Sequence, residues 1–553
     1  MPFISPNQIS SIANSETYPG MARINPLGWY HSAAGVVATP SGLVACYRRS
    51  DAHCAHWTDI MIAYSNDGGR AWHGHHAIAH SNVWEHRRVW VVPQLSRLRD
   101  GRLVIVCDQG HRGTDNDWPM LTHWQQPNRG MANFLFWSHD DGRTWSAPQP
   151  VDEVGGQPGY IHECADGTLL FTRTESMKTD VLENPPLPWG PAYYRCVVVA
   201  SVDGGRTWAP RGILSDDPFH SDGEVGLLEL RPGRLMALSR IGYSGGNAGQ
   251  PSRVFFSEDG GRSWSDPQLA PVYAQRPIIG RLPDGRVLAT YRDISTPGNW
   301  ACAFDPEREL RFEPAAWLWD EERCHLADGE LVLDTANGRE EKVEFGLYPA
   351  LDSRARVELS VTLRLEPGHK GASVHAGLPV TLFPDRFEAT MPDGESFVCA
   401  CDLTRPKTLR VLRAPGQLAL WLDGELKCER SPQRYTDRLV RFGAWQQGRS
   451  FWHAASAAVQ NAAGHSIHWA WQARDGYPDA FRRTHAVCLS RSADCGYGGW
   501  AIVDDGVVVV DYTNRSSRPS GYGGGPLPVL EAYRLGSALL QSLAGAAAPT
   551  KEA

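Results

Sequence analysis

Four eight-residue segments of this chain share the pattern S-x-D-x-G-R-[TSA]-W: Ser65–Trp72, Ser138–Trp145, Ser201–Trp208 and Ser257–Trp264. They follow one another at 73, 63 and 56 residues. Such repetition limits the fold severely, because each repeat must be one supersecondary unit that buries its faces against its neighbours. The residue types are those of a tight turn. Asp accepts backbone N–H bonds across it, Gly supplies a positive φ, and Trp packs between adjacent sheets. Asp67, Asp140, Asp203 and Asp259 are therefore structural groups, expected in turns away from any reactive site.

A second repeat interleaves with the first: a strand, a tight turn and a second strand. Its six copies are Ala33–Arg49, Val91–Asp108, Gly159–Glu175, Gly223–Arg240, Arg276–Asp293 and Tyr497–Thr513. Together the repeats predict an all-β chain, a six-bladed β-propeller. Ser450–Arg474 reads as a less regular copy that leaves seven blades open, and Val529–Leu535 as the strand that closes the ring on an N-terminal one. Leu310–Gly448 lacks both patterns but carries alternating strands, as in Ala355–Leu365. It is expected to be an inserted antiparallel β-sandwich, similar to laminin-G or concanavalin-type domains. The expected organisation is blades one to five in 25–309, the insert in 310–448, the remaining blade or blades and ring closure in 449–536, and a tail in 537–553 whose stretch Gln541–Ala553 reads as disordered.

Composition narrows the function. The 54 basic against 62 acidic residues give a net charge of −8, which argues against nucleic acid as partner. No apolar run approaches the ~18 residues of a membrane span. The first twenty residues lack the basic and apolar regions of a signal peptide, so the chain as given favours the cytoplasm. The twelve Cys include no C-x-x-C pair, only Cys399 and Cys401 as C-x-C. That is no zinc pattern, and the thiols read as buried groups in a reducing compartment.

Blade geometry then locates a site. The turn between strands one and two lies on one face, so the start of strand one and the end of strand two meet on the other. Strand-one starts supply His31, Arg88, Tyr160, His162, Asp222, Glu224, Arg276 and Tyr497. Strand-two ends supply Arg48, Arg49, Asp51, Asp108, His111, Arg173, Glu175, Arg240, Arg292, Asp293, Asp511 and Tyr512. Several Arg beside several carboxylates suit an anionic ligand that undergoes acid–base chemistry.

The four turn motifs and this mouth resemble the sialidase (neuraminidase) superfamily, in its bacterial-type form with Asp-box (BNR) repeats. The resemblance implies an exo-acting, retaining glycoside hydrolase that releases a terminal acidic sugar, sialic acid or a related acid. It also implies a Tyr nucleophile, because a carboxylate would be repelled by the carboxylate on the anomeric carbon of the sugar. Gly496–Trp500 followed by Asp505-Gly506 matches the family's nucleophile stretch, which makes Tyr497 the nucleophile and Glu224 its partner. The resemblance further assigns Arg240 to the substrate carboxylate and Asp51 to the acid/base role, with Asp59 as second candidate. In Tyr30-His31-Ser32-Ala33, His31 stands where the family's first clamp Arg is expected. Arg276, Arg292 and Arg483 compete for the third clamp position. His31, Arg88, Asp222 and His162 are further expected substrate contacts.

No cofactor and no metal are expected. The histidines of blade one (His53, His56, His73, His75, His76, His80) are irregularly spaced and read as solvated. Trp118, Trp124 and Trp189 lie in loops as sugar-stacking walls or as loop packing. Two other functions fit the same mouth. One is a polysaccharide lyase for uronic-acid glycans, using a base such as His111 or His162. The other is a non-catalytic glycan-binding propeller. The expected partner is in each case a glycan, with neither nucleic acid nor membrane involved.

Overall fold

The computed structural model describes residues 4–13, 29–111, 131–181, 192–241, 250–316, 323–335, 342–432, 434–435, 437–520 and 524–543. Trp118, Trp124, Trp189 and the last ten residues of the tail lie outside them.

The Asp-box turns fold as their residues dictate. Ser65 Oγ donates to Asp67 Oδ1 at 2.8 Å, and the same Oδ1 accepts the N–H groups of Arg70 and Ala71, each at 2.9 Å. Asp140, Asp203 and Asp259 accept equivalent bonds. Each turn joins the third and fourth strands of a four-stranded sheet. The four sheets are Tyr30–Thr39, Gly42–Ser50, Trp57–Ser65 and His73–Asn82; Arg88–Arg97, Leu103–His111, Met131–Ser138 and Gln149–Asp152; His162–Glu163, Leu169–Lys178, Ala192–Ser201 and Ala209–Ser215; and Asp222–Arg231, Arg234–Ile241, Arg253–Ser257 and Gln268–Leu269. The turns touch those between strands one and two: Ser41 Oγ donates to Asp141 at 2.9 Å, and Gly260 N–H to Gly233 O at 2.8 Å. Both turn classes therefore share one face.

Two further four-stranded sheets complete six blades among the described residues, and they differ from the expected boundaries. Blade five pairs Ala274–Arg281, Val287–Asp293 and Gly298–Phe304 with Ala486–Arg491. The long insertion thus lies inside this blade, between its third and fourth strands, and not after it. Blade six pairs Cys495–Val503, Gly506–Thr513 and Val529–Gly536 with Ile9–Ala13. Ile9 faces Tyr533 and Ser10 faces Ala532, so the ring closes between N- and C-terminal strands, with its first strand upstream of residue 25.

The core lies between blades. Val44 and Cys46 of blade one cluster with Leu103 and Ile105 of blade two, and Val508 and Val510 of blade six with Val36 and Leu43 of blade one. Each such side chain contributes roughly 1.5–3 kcal/mol by leaving water.

The insertion forms a seven-stranded and an eight-stranded antiparallel sheet. Arg449–Gln460 pairs with Arg356–Leu365, and Ser466–Gln472 pairs with Arg449–Gln460 in the eight-stranded sheet. The stretch read as an irregular blade therefore belongs to the insertion. Leu359 and Val361 of this sheet share one hydrophobic cluster with Val374 and Phe442 of the other, and with Met236 and Trp300 of blades four and five.

Candidate functional site

The inner strands do not run regularly to the mouth. Register slips between Ser32 and Gly35, Trp90 and Pro93, Gly223 and Gly226, Gln275 and Ile278, and Gly496 and Gly499. These are β-bulges, which bend a strand and re-aim a side chain. Four of them hold a non-glycine residue at positive φ: Ala33 (52°), Glu224 (48°), Arg276 (49°) and Tyr497 (75°). Such a backbone costs on the order of 1–3 kcal/mol and must be held by its surroundings. At Tyr497 the buried Asp511 side chain packs against the backbone of Gly498 and accepts the Tyr512 N–H at 2.7 Å, which holds the turn from beneath.

The bulges surround a cavity of about 230 Å³. Glu224, Tyr497, Tyr194, Tyr512, His53, Gln157 and Gln275 line it, with three guanidinium groups from Arg48, Arg240 and Arg292. Tyr497 Oη donates to Glu224 Oε1 at 3.3 Å, and Arg240 Nη1 lies 2.8 Å from the same oxygen. The Arg276 guanidinium sits 5.2 Å from the centre of the Tyr497 ring, and Arg276 Nη2 donates to Pro158 O at 2.5 Å. Glu224 Oε2, Arg240 Nε and Arg292 Nε are buried without a hydrogen-bond partner. Buried polar atoms seldom stay unpaired, so the cavity has unused capacity for a polar ligand.

Electrostatics separates the two partners. Burial raises the Glu224 carboxyl, but Arg240 and Arg276 outweigh it and hold it below its ordinary value. Burial, with the Glu224 charge, pushes Tyr497 up to about 12 against the pull of Arg240, Arg276 and Arg292. At rest Glu224 is thus a carboxylate and Tyr497 a phenol. Because folding lowers the Glu224 pKa, its ion pair stabilises the protein above the ordinary Glu value. That contribution is lost as pH falls through the lowered one.

Of the expected residues, Tyr497, Glu224, Arg240 and Arg292 meet at the cavity, with Arg276 packed against Tyr497. Arg48 and Tyr512, expected at the mouth without an assigned role, line it too, and the other expected substrate and acid/base residues do not. His31 points to the opposite side of its strand, against Tyr47 at 5.7 Å, and burial beside Arg49 lowers it to about 3. Asp222 is 0% exposed, held by Arg253, by Ser215 Oγ at 2.5 Å and by Ser239 Oγ at 2.6 Å. His162 Nε2 accepts the Glu229 N–H at 3.0 Å, and burial lowers the ring to about 4. Arg88 pairs with His111 at the strand end. Asp51 caps its own loop, accepting the His56 N–H at 2.9 Å, and Asp59 is held by Arg49 and His80. Arg483, within the short helix Ala480–His485, bonds Asp479 at its N-terminus at 2.8 Å.

Tyr194, Gln157 and Gln275 carried no signal in the sequence, and two further cavity residues, Arg48 and His53, had no assigned role there. Arg48 is fixed by Ser32 Oγ at 3.0 Å and by the carbonyls of Val91 and His53. It pairs across from Ser32, one register position from His31, and so supplies a third guanidinium where the first strand has none. Its place among the mouth residues was the available signal. His53 lies on the loop between strands two and three of blade one, where no periodicity reports direction.

Residues 42–361, more than half of the chain, match the BNR repeat-like domain. The chain belongs to that family. Over 227 residues it is 32% identical to a sialidase of Micromonospora viridifaciens, an overlap of 37% of this chain and 33% of that protein. It is 21% identical over 234 residues to a sialidase of Bacteroides fragilis (strain YCH46), covering 38% and 37% respectively. The chain thus spans about a third of the length of these curated relatives. Among solved structures, a protein of unknown function from Dyadobacter fermentans DSM 18053 aligns over 75% of this chain and 100% of that one, at 17% identity and a TM-score of 0.42. Trypanosoma rangeli sialidase aligns over 77% and 90%, at 11% identity and a TM-score of 0.38. These two likenesses add nothing to the strand pairing above. The family match, the sialidase relatives and the six blades together support the sialidase superfamily.

Proposed function

We propose that this chain is an exo-acting, retaining glycoside hydrolase of sialidase type that releases a terminal acidic sugar. The observation that carries the reading is the Tyr497 hydroxyl on Glu224 Oε1 at 3.3 Å, inside a cavity lined by three arginines. Arg48, Arg240 and Arg292 bind the sugar carboxylate. Tyr497 Oη attacks the anomeric carbon and passes its proton to Glu224. A phenol near 12 beside an ionised Glu224 keeps its proton until the carbon–oxygen bond forms. A substrate carboxylate that draws Arg240 toward itself weakens the Arg240–Glu224 pair and makes Glu224 a better base. The two large sheets of the insertion are proposed to stack as a β-sandwich of laminin-G or concanavalin type.

The direct test is a panel of aryl glycosides of sialic and uronic acids, with the products read by mass spectrometry. Release of an intact acidic sugar supports the reading. An unsaturated uronate makes the chain a lyase, and binding without turnover makes it a glycan-binding propeller. Arg240→Lys is expected to lower kcat/KM about 10- to 100-fold, because a two-pronged charge-assisted contact is lost while the charge is kept. Near-normal kinetics removes Arg240 from the clamp. The acid limb of kcat/KM is expected below the ordinary Glu value of ~4.3, since Glu224 must be ionised in the free enzyme. A pH titration placing that limb above pH ~5 assigns the base elsewhere.

A further inference from the structure

We propose that His53 is the proton donor and acceptor of this cavity, the role that Asp51 was expected to fill. The inference rests on the hydrolase reading above. Cleavage of a natural glycosidic bond, whose departing alkoxide is a poor leaving group, calls for a proton donor besides the nucleophile and its base. Among the described residues lining the cavity, Glu224 is the one carboxylate, and it already holds Tyr497 and Arg240. Asp51 and Asp59 are bound to His56 and to Arg49 with His80, outside the lining. His53 lines the cavity, and its side chain is 49% exposed.

A hydrogen-bond relay prepares it. His53 Nδ1 lies 2.6 Å from Tyr30 Oη, and Tyr30 Oη donates to Asp494 Oδ1 at 2.8 Å. A tyrosine has one proton, which here is committed to Asp494, so its oxygen must accept from His53. That fixes the hydrogen on Nδ1 and makes Nε2 the nitrogen that gains and loses the catalytic proton. Burial and the Asp494 charge keep Tyr30 well above its ordinary value, so it stays a donor. Ser520 Oγ donates to the other Asp494 oxygen, and Arg48 Nη2 donates to the His53 carbonyl at 3.1 Å. One loop thus holds a carboxylate-binding arginine and the imidazole in register.

The proton balance is complete. In the first step the glycosidic C–O bond breaks, the leaving oxygen takes the proton from His53 Nε2, and Tyr497 Oη bonds to the anomeric carbon while its proton goes to Glu224. In the second step water attacks that carbon and gives a proton to His53 Nε2. The bond to Tyr497 breaks, and its oxygen recovers the proton from Glu224.

The test is His53→Gln assayed with two leaving groups. An alkyl glycoside, whose departing alkoxide needs the proton, is expected to lose about 10²–10⁴-fold in kcat/KM. An electron-poor aryl glycoside, whose phenolate leaves unaided, is expected to lose less than about tenfold in kcat/KM. Azide, already anionic and needing no base, is expected to restore aryl turnover and trap a glycosyl azide. Equal losses on both substrates without an azide response overturn the proposal. Tyr30→Phe, which keeps His53 and removes its acceptor, carries the test where His53→Gln does not fold. A selective alkyl loss supports the proposal, and an unchanged alkyl-to-aryl ratio overturns it. If the wild-type chain releases no sugar from either substrate, the hydrolase reading itself fails, and the proposal with it.

Discussion

Tyr497→Phe is expected to keep its fold and lose at least about 10³-fold in turnover, roughly 4 kcal/mol of transition-state stabilisation. The substitution removes one oxygen. The ring keeps its stack on Tyr512 at 6.1 Å and its contact with the Arg276 guanidinium. The bulge that strains position 497 to a φ of 75° is held by Asp511, not by the hydroxyl. Loss of this part-buried hydrogen bond to a carboxylate costs about 1.5 kcal/mol, and Glu224 keeps its Arg240 partner at 2.8 Å, so the melting temperature should fall by only a few degrees. Turnover by the purified variant on an aryl glycoside, beside its melting curve, decides the matter. If most activity survives, Tyr497 is a wall of the cavity and the nucleophilic mechanism is wrong.

The second large effect is on stability. Asp222→Ala is expected to destabilise the propeller by about 3 kcal/mol, because removing one partner of a buried pair leaves an uncompensated charge. The charge is on Arg253, whose side chain is 2% exposed and donates to both Asp222 oxygens. Asp217 also bonds Arg253, at 2.8 Å, which limits the loss. Variant protein that stays folded is expected to show an unchanged KM, since Asp222 does not reach the cavity. An unchanged melting curve with a raised KM would return Asp222 to the substrate.

The propeller was legible because its turns require particular residues. Ser, Asp, Gly and Trp at those fixed offsets suit one turn geometry, and six strand–turn–strand copies count the blades. The insertion point was not legible. Ala486–Arg491 is a short apolar strand with no turn motif before it, and the alternation in Ser450–Arg474 fits any half-buried sheet. The site divides in the same way. Repeat spacing placed Tyr497 and Glu224 at the mouth, because both occupy the same bulged position of their blades; the roles expected of them came from the family resemblance and not from spacing. His31 and Asp222 were misassigned because successive strand residues face opposite sides and the bulge begins just after them. The order of residues along the chain does not reveal where that alternation slips.

The split of blade five and the closure of blade six set an order for biosynthesis. Blades one to four have all their strands on contiguous chain and can pair as they leave the ribosome. Gly298–Phe304 must instead wait for Ala486–Arg491, and Ile9–Ala13 for Val529–Gly536. During that interval both stretches are unpaired strand edges, the kind of surface that recruits foreign strands. The cavity draws Arg48, Glu224, Arg292 and Tyr497 from blades one, four, five and six. A nascent chain with four finished blades therefore has a hydrophobic core and no complete cavity. The cavity is assembled only after the fifth and sixth blades close, the sixth by zipping Ile9–Ala13 to a strand made more than five hundred residues later.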